Sequence, residues 1–180
     1  MRFYRVFPFD PSAAVDQPGG AMFVPMGGDN RLGNADLYHE LYLASHAEAA
    51  VAETFGRLAV WEPEMLVTAK GSIYALATYD LADGTPVADL DDTALLAEMG
   101  LRPTDVVSRD RRHTQHWARE LFTRHRWSGV SWWCYYHPQW TIYALWDVGS
   151  LRLASPPEPL HGSHLALRRA AETIVRSLHA

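Results

Sequence analysis

Short apolar stretches recur along the chain with the two-residue period that is typical of β-strands. Residues 2–7 alternate between the two faces of a strand, and residues 41–44 form a short apolar run. Further strands are predicted over 73–79, 130–136 and 140–147, and a turn through His137-Pro138-Gln139 joins the last two.

Helices are predicted between these strands from apolar positions three or four residues apart and from capping residues. Ser45 is placed to cap a helix over about 46–58. Further helices are predicted over 92–99, between the Asp91-Asp92 pair as cap and Gly100 as end, over 110–125 and, after the break Pro156-Pro157-Glu158-Pro159, over 164–178.

The order of these elements mixes strands and helices without the regular alternation of a doubly wound sheet. We therefore predict an α+β fold, in which residues 1–180 form a single compact domain of mixed β-sheets with flanking helices. The first two strands are separated by residues 8–40, which are rich in Gly, Pro, Asp and Asn. Loops of this length in compact domains are usually functional or disordered.

Composition narrows the range of partners and compartments. The net charge of −5 disfavours a nucleic-acid partner, because such proteins usually carry a basic face. We interpret the basic run Arg109–His113 as a solvated helix face. The apolar stretches fall short of the roughly 18 residues that a membrane span needs, and no signal peptide opens the chain. A single cysteine, Cys134, fits a reducing compartment, so we expect a cytoplasmic protein.

Most motifs that would define a reaction are missing from the sequence. There is no P-loop, no Gly-x-Ser-x-Gly elbow and no paired Cys-x-x-Cys. His113 and His116, like His161 and His164, have a possible metal spacing, but no carboxylate or thiolate accompanies them, so we expect no metal site. An aromatic cluster over 127–146 is interpreted mainly as core, with one or two members free to line a pocket.

Four segments, taken in order, resemble a known family. Leu41–Glu53 (LYLASHAEAAVAE) has a strand ending in Tyr-Leu-Ala followed by a helix of small residues that carries a glutamate. Phe3-Tyr4-Arg5-Val6 resembles the family's opening strand, Gly27–Arg31 a loosened form of its Gly-Gly-Arg loop, and Gly129–Cys134 its serine strand. On these segments the chain resembles the RES family of bacterial NAD+-degrading toxins.

Two positions depart from the family's pattern. The family takes its name from an Arg, a Glu and a Ser, but Cys134 stands where the serine is expected. Ser131, three residues earlier, is another candidate for that hydroxyl. The Gly-Gly-Arg loop is interrupted by Asp29-Asn30.

The resemblance implies an ADP-ribosyltransferase-like fold that holds NAD+ in a cleft and breaks the nicotinamide–ribose bond. NAD+ is then the substrate, and no cofactor is expected. Arg5 would bind the pyrophosphate, with Arg31 as a second candidate. Tyr42 would stack on the nicotinamide, and Glu53 would stabilise the positive charge that develops on the ribose.

Tyr4, Ser131 and Cys134 complete the set of expected substrate-binding residues. The acceptor is water or phosphate, and the sequence does not choose between them. The resemblance also implies a partner, an antitoxin protein that covers the active-site cleft.

Three alternatives remain open from the sequence. In the first, Glu53 is an ordinary surface glutamate on an amphipathic helix. The same cleft would serve an ADP-ribosyltransferase that modifies a macromolecule. A non-catalytic module that binds a sugar or nucleotide through its aromatic strands is the third.

Overall fold

The computed structural model describes residues 1–179 of the chain. Within that range the strands are β1 (Arg2–Phe9), β2 (Leu41–Ala44), β3 (Val60–Trp61), β4 (Ile73–Leu81), β5 (Val87–Asp89), β6 (Gly129–Trp133), β7 (Thr141–Leu145), β8 (Leu151–Pro159) and β9 (Ser177–Leu178). The helices are α1 (Ala47–Phe55), α2 (Thr93–Met99), α3 (Pro103–Val106), α4 (Arg111–Thr123) and α5 (Leu165–Thr173), and a 3-10 turn spans Pro63–Leu66.

Seven strands form one mixed sheet in the order β5-β6-β7-β2-β1-β4-β8. All neighbours in it are antiparallel except β5 and β6, which are parallel. The short strands β3 and β9 form a separate parallel pair. The predicted α+β fold of mixed sheets with flanking helices is therefore confirmed.

Strand pairing is incomplete at the centre of the large sheet, between β1 and β2. Strand β1 pairs with β4 along its whole length, from Arg2 opposite Asp80 to Phe9 opposite Ile73. On its other side β1 meets β2 at one pair of residues, Tyr4 opposite Ala44. Because adjacent strands stay together only where their backbones pair, β1 and β2 diverge and open a gap in the sheet.

Alternation along the central strands divides the core between the two faces of the sheet. On one face, helix α1 packs over β1 and β2 and against helix α5, and Val51, Phe55 and Leu167 are buried there. On the other face, Phe3 and Phe7 of β1 are buried. Successive residues of β1 therefore face different surroundings, which decides where each of its side chains can act.

Local signals located most helix ends correctly. Asp92 caps α2 through its side chain, which accepts from the Ala94 N–H at 2.8 Å, and Gly100 ends the helix at a φ of 65°. Helix α1 begins differently from the prediction. Ser45 does not cap it, because the Ser45 hydroxyl accepts from the Thr141 N–H at 2.9 Å and so ties β2 to β7.

The predicted proline break and the predicted C-terminal helix both need correction. The segment Pro156–Pro159 belongs to the edge strand β8, where a proline lacks only an N–H that solvent would otherwise face. Helix α5 ends at Thr173, and the chain continues into β9 beside β3. None of the helices within residues 1–179 is long and apolar enough to cross a bilayer.

Candidate functional site

A cleft of about 540 Å³ lies where β1 and β2 diverge, on the face of the sheet that α1 covers. This volume is typical of sites for small organic ligands. Strands β1, β2 and β6 contribute side chains to its walls, helix α1 contributes Glu53, and the long loop 8–40 contributes Asn30 and Arg31. Val107 and Arg109, from the segment before α4, complete the rim.

Glu53 is the one carboxylate among the described residues that line the cleft. Its Oε1 accepts a hydrogen bond from the Cys134 thiol, with 3.0 Å between oxygen and sulfur. Loss of hydration among the surrounding protein atoms raises the pKa of Glu53, while the thiol and the nearby Arg31 oppose that rise. The site thus holds a carboxylate whose charge is only partly compensated.

Small residues leave space around this carboxylate. Ala50, one turn before Glu53, lines the cleft with it. Gly56 follows one turn later, and a Cβ built there would lie 2.5 Å from the ring of Tyr136. The glycine therefore lets an aromatic wall approach the end of α1 closely.

Cys134 occupies the position predicted for the family's serine and contacts the catalytic candidate directly. The residue is buried, and its sulfur accepts from the Tyr136 N–H at 3.4 Å while its thiol donates to Glu53. Burial and the neighbouring Glu53 raise the pKa of Cys134 to about 12. At neutral pH the group is therefore a thiol and a hydrogen-bond donor, not a nucleophilic thiolate.

Tyr42 stands beside Glu53 in the cleft, held at its ring and at its hydroxyl. The ring packs edge-on against Trp132, with centroids 6.2 Å apart and planes at 86°. The hydroxyl donates to the Asn30 Oδ1 at 3.0 Å. Burial, with the nearby Glu40, raises the pKa of Tyr42, so the phenol stays protonated. Tyr4, from β1, also lines the cleft.

Two arginines bring positive charge to the cleft. The Arg31 Nη1 donates to the Val106 carbonyl at 2.5 Å, and its guanidinium is close enough to Tyr42 and Glu53 to interact with both. Arg109 makes no hydrogen bond or ion pair with any residue in 1–179, so its guanidinium is available to a ligand.

Arg5 has different partners from the predicted ones. Its Nη1 donates to the carbonyls of Ala21 at 3.3 Å and Phe23 at 3.0 Å, and its guanidinium lies 5.2 Å from the ring centre of Phe7. The residue contributes to the cleft wall, but strand alternation directs its side chain towards the face that carries Phe7. The guanidinium is thus engaged in fixing loop 8–40 and does not extend freely into the cleft.

Ser131 is not brought into the site, which corrects its predicted place in the substrate pocket. It lies opposite Tyr143 in the sheet, and its hydroxyl is directed to Asp89 at 3.3 Å. Its neighbour Trp132 faces the cleft. Its partner Tyr143 packs in the core of the other face, with Phe3, so Ser131 lies on the side of the sheet away from the cleft.

Sequence reasoning missed several residues of the cleft. Arg109 belongs to a basic run that was interpreted as a solvated helix face, yet α4 begins only at Arg111. Asn30 sits in the interruption of the Gly-Gly-Arg loop, and the sequence alone predicts no role for it. Trp133, Tyr135 and Tyr136 line the cleft, whereas the aromatic cluster was assigned mostly to the core.

The histidines of the two pairs have separate partners, and His113 is half-buried beside Asp105. His164 caps α5 through the Ala166 N–H, and His161 contacts Ser163. His116 is paired with Glu120 on α4. In residues 1–179 no group of three or more His, Cys, Asp or Glu side chains is arranged to hold a metal ion.

Together, the fold and the cleft define a small α+β domain with a cleft at the centre of its large sheet. The family model of the RES domain matches residues 2–168, and the chain belongs to that family. The chain is also similar to a chain in the crystal structure of the M. tuberculosis MbcT-MbcA toxin-antitoxin complex. The TM-score is 0.65 at 20% sequence identity, over 97% of this chain and 88% of that chain. No curated protein matches the sequence.

Proposed function

We propose that this RES domain degrades NAD+ by breaking the bond between nicotinamide and ribose. The observation that carries the proposal is the position of Glu53, which faces the same cleft as Tyr42 and two arginines. A single carboxylate among aromatic and cationic side chains suits a substrate with a positively charged ring, a ribose and a pyrophosphate.

The chemistry of the leaving group explains why one carboxylate is enough. Nicotinamide is a cation while it is attached to the ribose and is neutral once released, so no acid is needed to protonate it. The bond breaks through a transition state that resembles an oxocarbenium ion. Glu53 in its ionised form stabilises the positive charge that builds on the ribose and binds a ribose hydroxyl.

The remaining cleft residues bind and orient the substrate. Tyr42 offers a ring face for the nicotinamide, and Tyr4 lines the same cleft. Arg31 and Arg109 supply the positive charge for the pyrophosphate through charge-assisted hydrogen bonds. Arg5 acts indirectly, because it holds the carbonyls of Ala21 and Phe23 in the loop between β1 and β2 in place.

Cys134 takes over the part of the family's serine as a donor to Glu53. Its contact keeps the carboxylate oriented and offsets part of the cost of burying a charge. The pKa of about 12 argues against a covalent intermediate on sulfur.

The first experiment identifies the products formed from NAD+. Purified protein is incubated with NAD+ in buffer with and without inorganic phosphate, and the products are separated by chromatography. Free nicotinamide with ADP-ribose indicates hydrolysis, and nicotinamide with a phosphorylated ADP-ribose, formed only with phosphate, indicates phosphorolysis. Intact NAD+ under both conditions contradicts the proposed activity and leaves a binding module.

Transfer to a macromolecule is the competing activity that uses the same cleft. Adding cell lysate and NAD+ labelled in the adenylate separates the two. Label that stays in small molecules supports degradation, and label that enters protein or nucleic acid supports an ADP-ribosyltransferase.

We further propose that the protein is the toxin of a toxin–antitoxin pair and acts in the cytoplasm. The similar solved structure is described as a toxin-antitoxin complex, and here the cleft rim carries exposed Tyr135 and Arg109 that a partner would cover. Coexpression with the neighbouring open reading frame and copurification would support the pairing. A toxin that is neither bound nor inhibited by that neighbour would contradict it.

A further inference from the structure

The polar groups behind Tyr42 form a connected set that the proposed chemistry does not use directly. Asn30 is at its centre, because its Oδ1 accepts from the Tyr42 hydroxyl at 3.0 Å and from the Leu32 N–H at 2.9 Å. Its Nδ2 donates to the Glu40 Oε1 at 2.5 Å. A backbone N–H can only donate, so Leu32 fixes which end of the amide is the acceptor, and the donor end must face Glu40.

Glu40 is the buried end of this set. The residue is 2% exposed, and within residues 1–179 its Oε2 has no hydrogen-bond partner. Burial raises the pKa of Glu40. An incompletely paired buried carboxyl costs stability, so stability alone does not account for a glutamate at this position. The hydrogen bond that its side chain makes is the one with Asn30.

Helix α4 holds the backbone of the same loop independently of Glu40. The Gln115 side-chain amide donates to the Asn30 carbonyl at 2.9 Å, and the Thr114 hydroxyl donates to the Arg31 carbonyl at 2.6 Å. The backbone position of Asn30 therefore does not depend on Glu40. The bond to Glu40 involves the side-chain amide of Asn30 and not its backbone.

We propose that Asn30 is a positioning residue for Tyr42 and that Glu40 sets the orientation of Asn30. With its hydroxyl held by Asn30 and its ring edge against Trp132, Tyr42 presents one fixed ring face to the cleft. The Asp29-Asn30 interruption of the loop thus supplies the residue that orients the aromatic platform. The catalytic consequence rests on the proposed NAD+ cleavage, whereas the orientation of Tyr42 is measurable without it.

The orientation is tested by NMR on protein labelled with ¹³C in its tyrosine rings. The Tyr42 resonances are identified by their loss in Tyr42→Phe. Asn30→Ala and Glu40→Leu should both shift or broaden them, because the first removes the acceptor of the Tyr42 hydroxyl and the second frees the Asn30 amide from its bond to Glu40. Glu40→Gln should leave them in place, because the glutamine oxygen still accepts from Asn30. Asp36→Asn, in the same loop but paired with Arg119, is the matched control and should change nothing.

The catalytic effect is tested by a double-mutant cycle in NAD+ consumption. Asn30→Ala should lower kcat roughly tenfold, with a smaller change in KM. The reason is that a reoriented Tyr42 ring still binds NAD+ but no longer holds the nicotinamide in the reactive orientation. In a Tyr42→Phe background the same change should have no further effect, because the hydroxyl it acts through is gone. Glu40→Gln should keep the wild-type kcat.

Each outcome decides a separate claim. Unchanged Tyr42 resonances in folded Asn30→Ala or Glu40→Leu protein would overturn the positioning role, and so would losses in kcat that multiply in the double variant. If Glu40→Leu does not fold, Asn30→Ala carries the test alone. If the wild-type protein leaves NAD+ intact, the proposed function fails, and the NMR result still decides whether Asn30 and Glu40 orient Tyr42.

Discussion

At the scale of single residues, the hydrogen bond between Cys134 and Glu53 connects the protonation of Glu53 with the proposed activity. The proposed mechanism needs the Glu53 carboxylate. Its pKa is raised above the ordinary value of 4.5 by burial, and the Cys134 thiol opposes this rise. Activity is therefore expected to fall as the pH drops through this raised pKa. The same shift means that Glu53 contributes to folding stability at low pH. This contribution is lost as the pH rises through the pKa of Glu53 in the folded state.

Replacing the thiol should move this acid limb in a defined direction. Cys134→Ala removes a donor to the carboxylate, so the pKa of Glu53 rises further and the acid limb of kcat moves to higher pH. Cys134→Ser, which keeps a donor, is the control and should retain a limb close to that of the wild type. The pH–rate profiles of the three proteins check this. A limb in Cys134→Ala at the wild-type position would show that the thiol does not tune Glu53.

Arg5 is expected to act on stability more than on substrate affinity. Arg5→Lys removes a guanidinium that donates to the carbonyls of Ala21 and Phe23, and the cost should be about 1–3 kcal/mol in the free energy of unfolding. The Kd for NAD+ should change little, whereas Arg31→Lys, which loses one bond to the Val106 carbonyl, should weaken NAD+ binding and cost less stability than Arg5→Lys. Chemical denaturation and calorimetric NAD+ titration distinguish the two. If Arg5→Lys weakens NAD+ binding and leaves stability unchanged, Arg5 binds the pyrophosphate and this prediction is wrong.

At the scale of elements, the turn from α5 into β9 contains backbone strain that can be relieved. Val175 adopts a φ of 54°, a left-handed conformation that is unfavourable for a β-branched residue, and its side chain is 85% exposed. Asparagine tolerates this conformation, and almost no packing is lost. Val175→Asn should therefore raise the free energy of unfolding by about 1 kcal/mol.

The control for this prediction is the same replacement where the backbone is relaxed. Val67 is exposed, but its φ is −122°, so Val67→Asn should bring no gain. Urea denaturation of both variants measures the difference. Equal or lower stability of Val175→Asn relative to the wild type would show that the turn stores no removable strain.

The elements also show which parts of the fold the sequence can predict. Strands β1, β2 and β4 were predicted because their patterns are local and continuous. Strand β8 was missed because prolines normally end strands, and only its place at the sheet edge makes them acceptable. Strands β3 and β9 have two residues each and exist because distant parts of the chain meet. Such pairing leaves no local pattern.

The same distinction applies to the candidate site. Glu53, Tyr42 and Arg31 were placed in one cleft by their resemblance to a family, and the structure brings them together. Ser131 and Cys134 are three residues apart, and the alternation of β6 points Ser131 away from the cleft. Arg109 enters the cleft through a contact between distant segments, which no spacing within the sequence indicates.

At the scale of the whole molecule, acidic residues outnumber basic ones and give a net charge of −5. Some of these acidic residues pair with arginines at the surface. On α4, Arg111 pairs with Asp29 and Arg119 with Asp36, so much of the helix's positive charge is neutralised by loop 8–40. Unpaired positive charge is then available at the cleft from Arg109, where the proposed substrate carries its phosphates.

The most direct test of the account measures NAD+ consumption and NAD+ binding on the same purified Glu53→Gln protein. Glutamine keeps the shape but removes the charge that would stabilise the transition state, which typically costs roughly 10²–10³ in rate. Binding of intact NAD+ should change far less, because that charge develops only as the bond breaks. Glu48→Gln, on the same helix but outside this cleft, is the matched control. The account predicts a collapsed turnover number with a nearly unchanged Kd in Glu53→Gln alone, and wild-type turnover in that folded variant would contradict it.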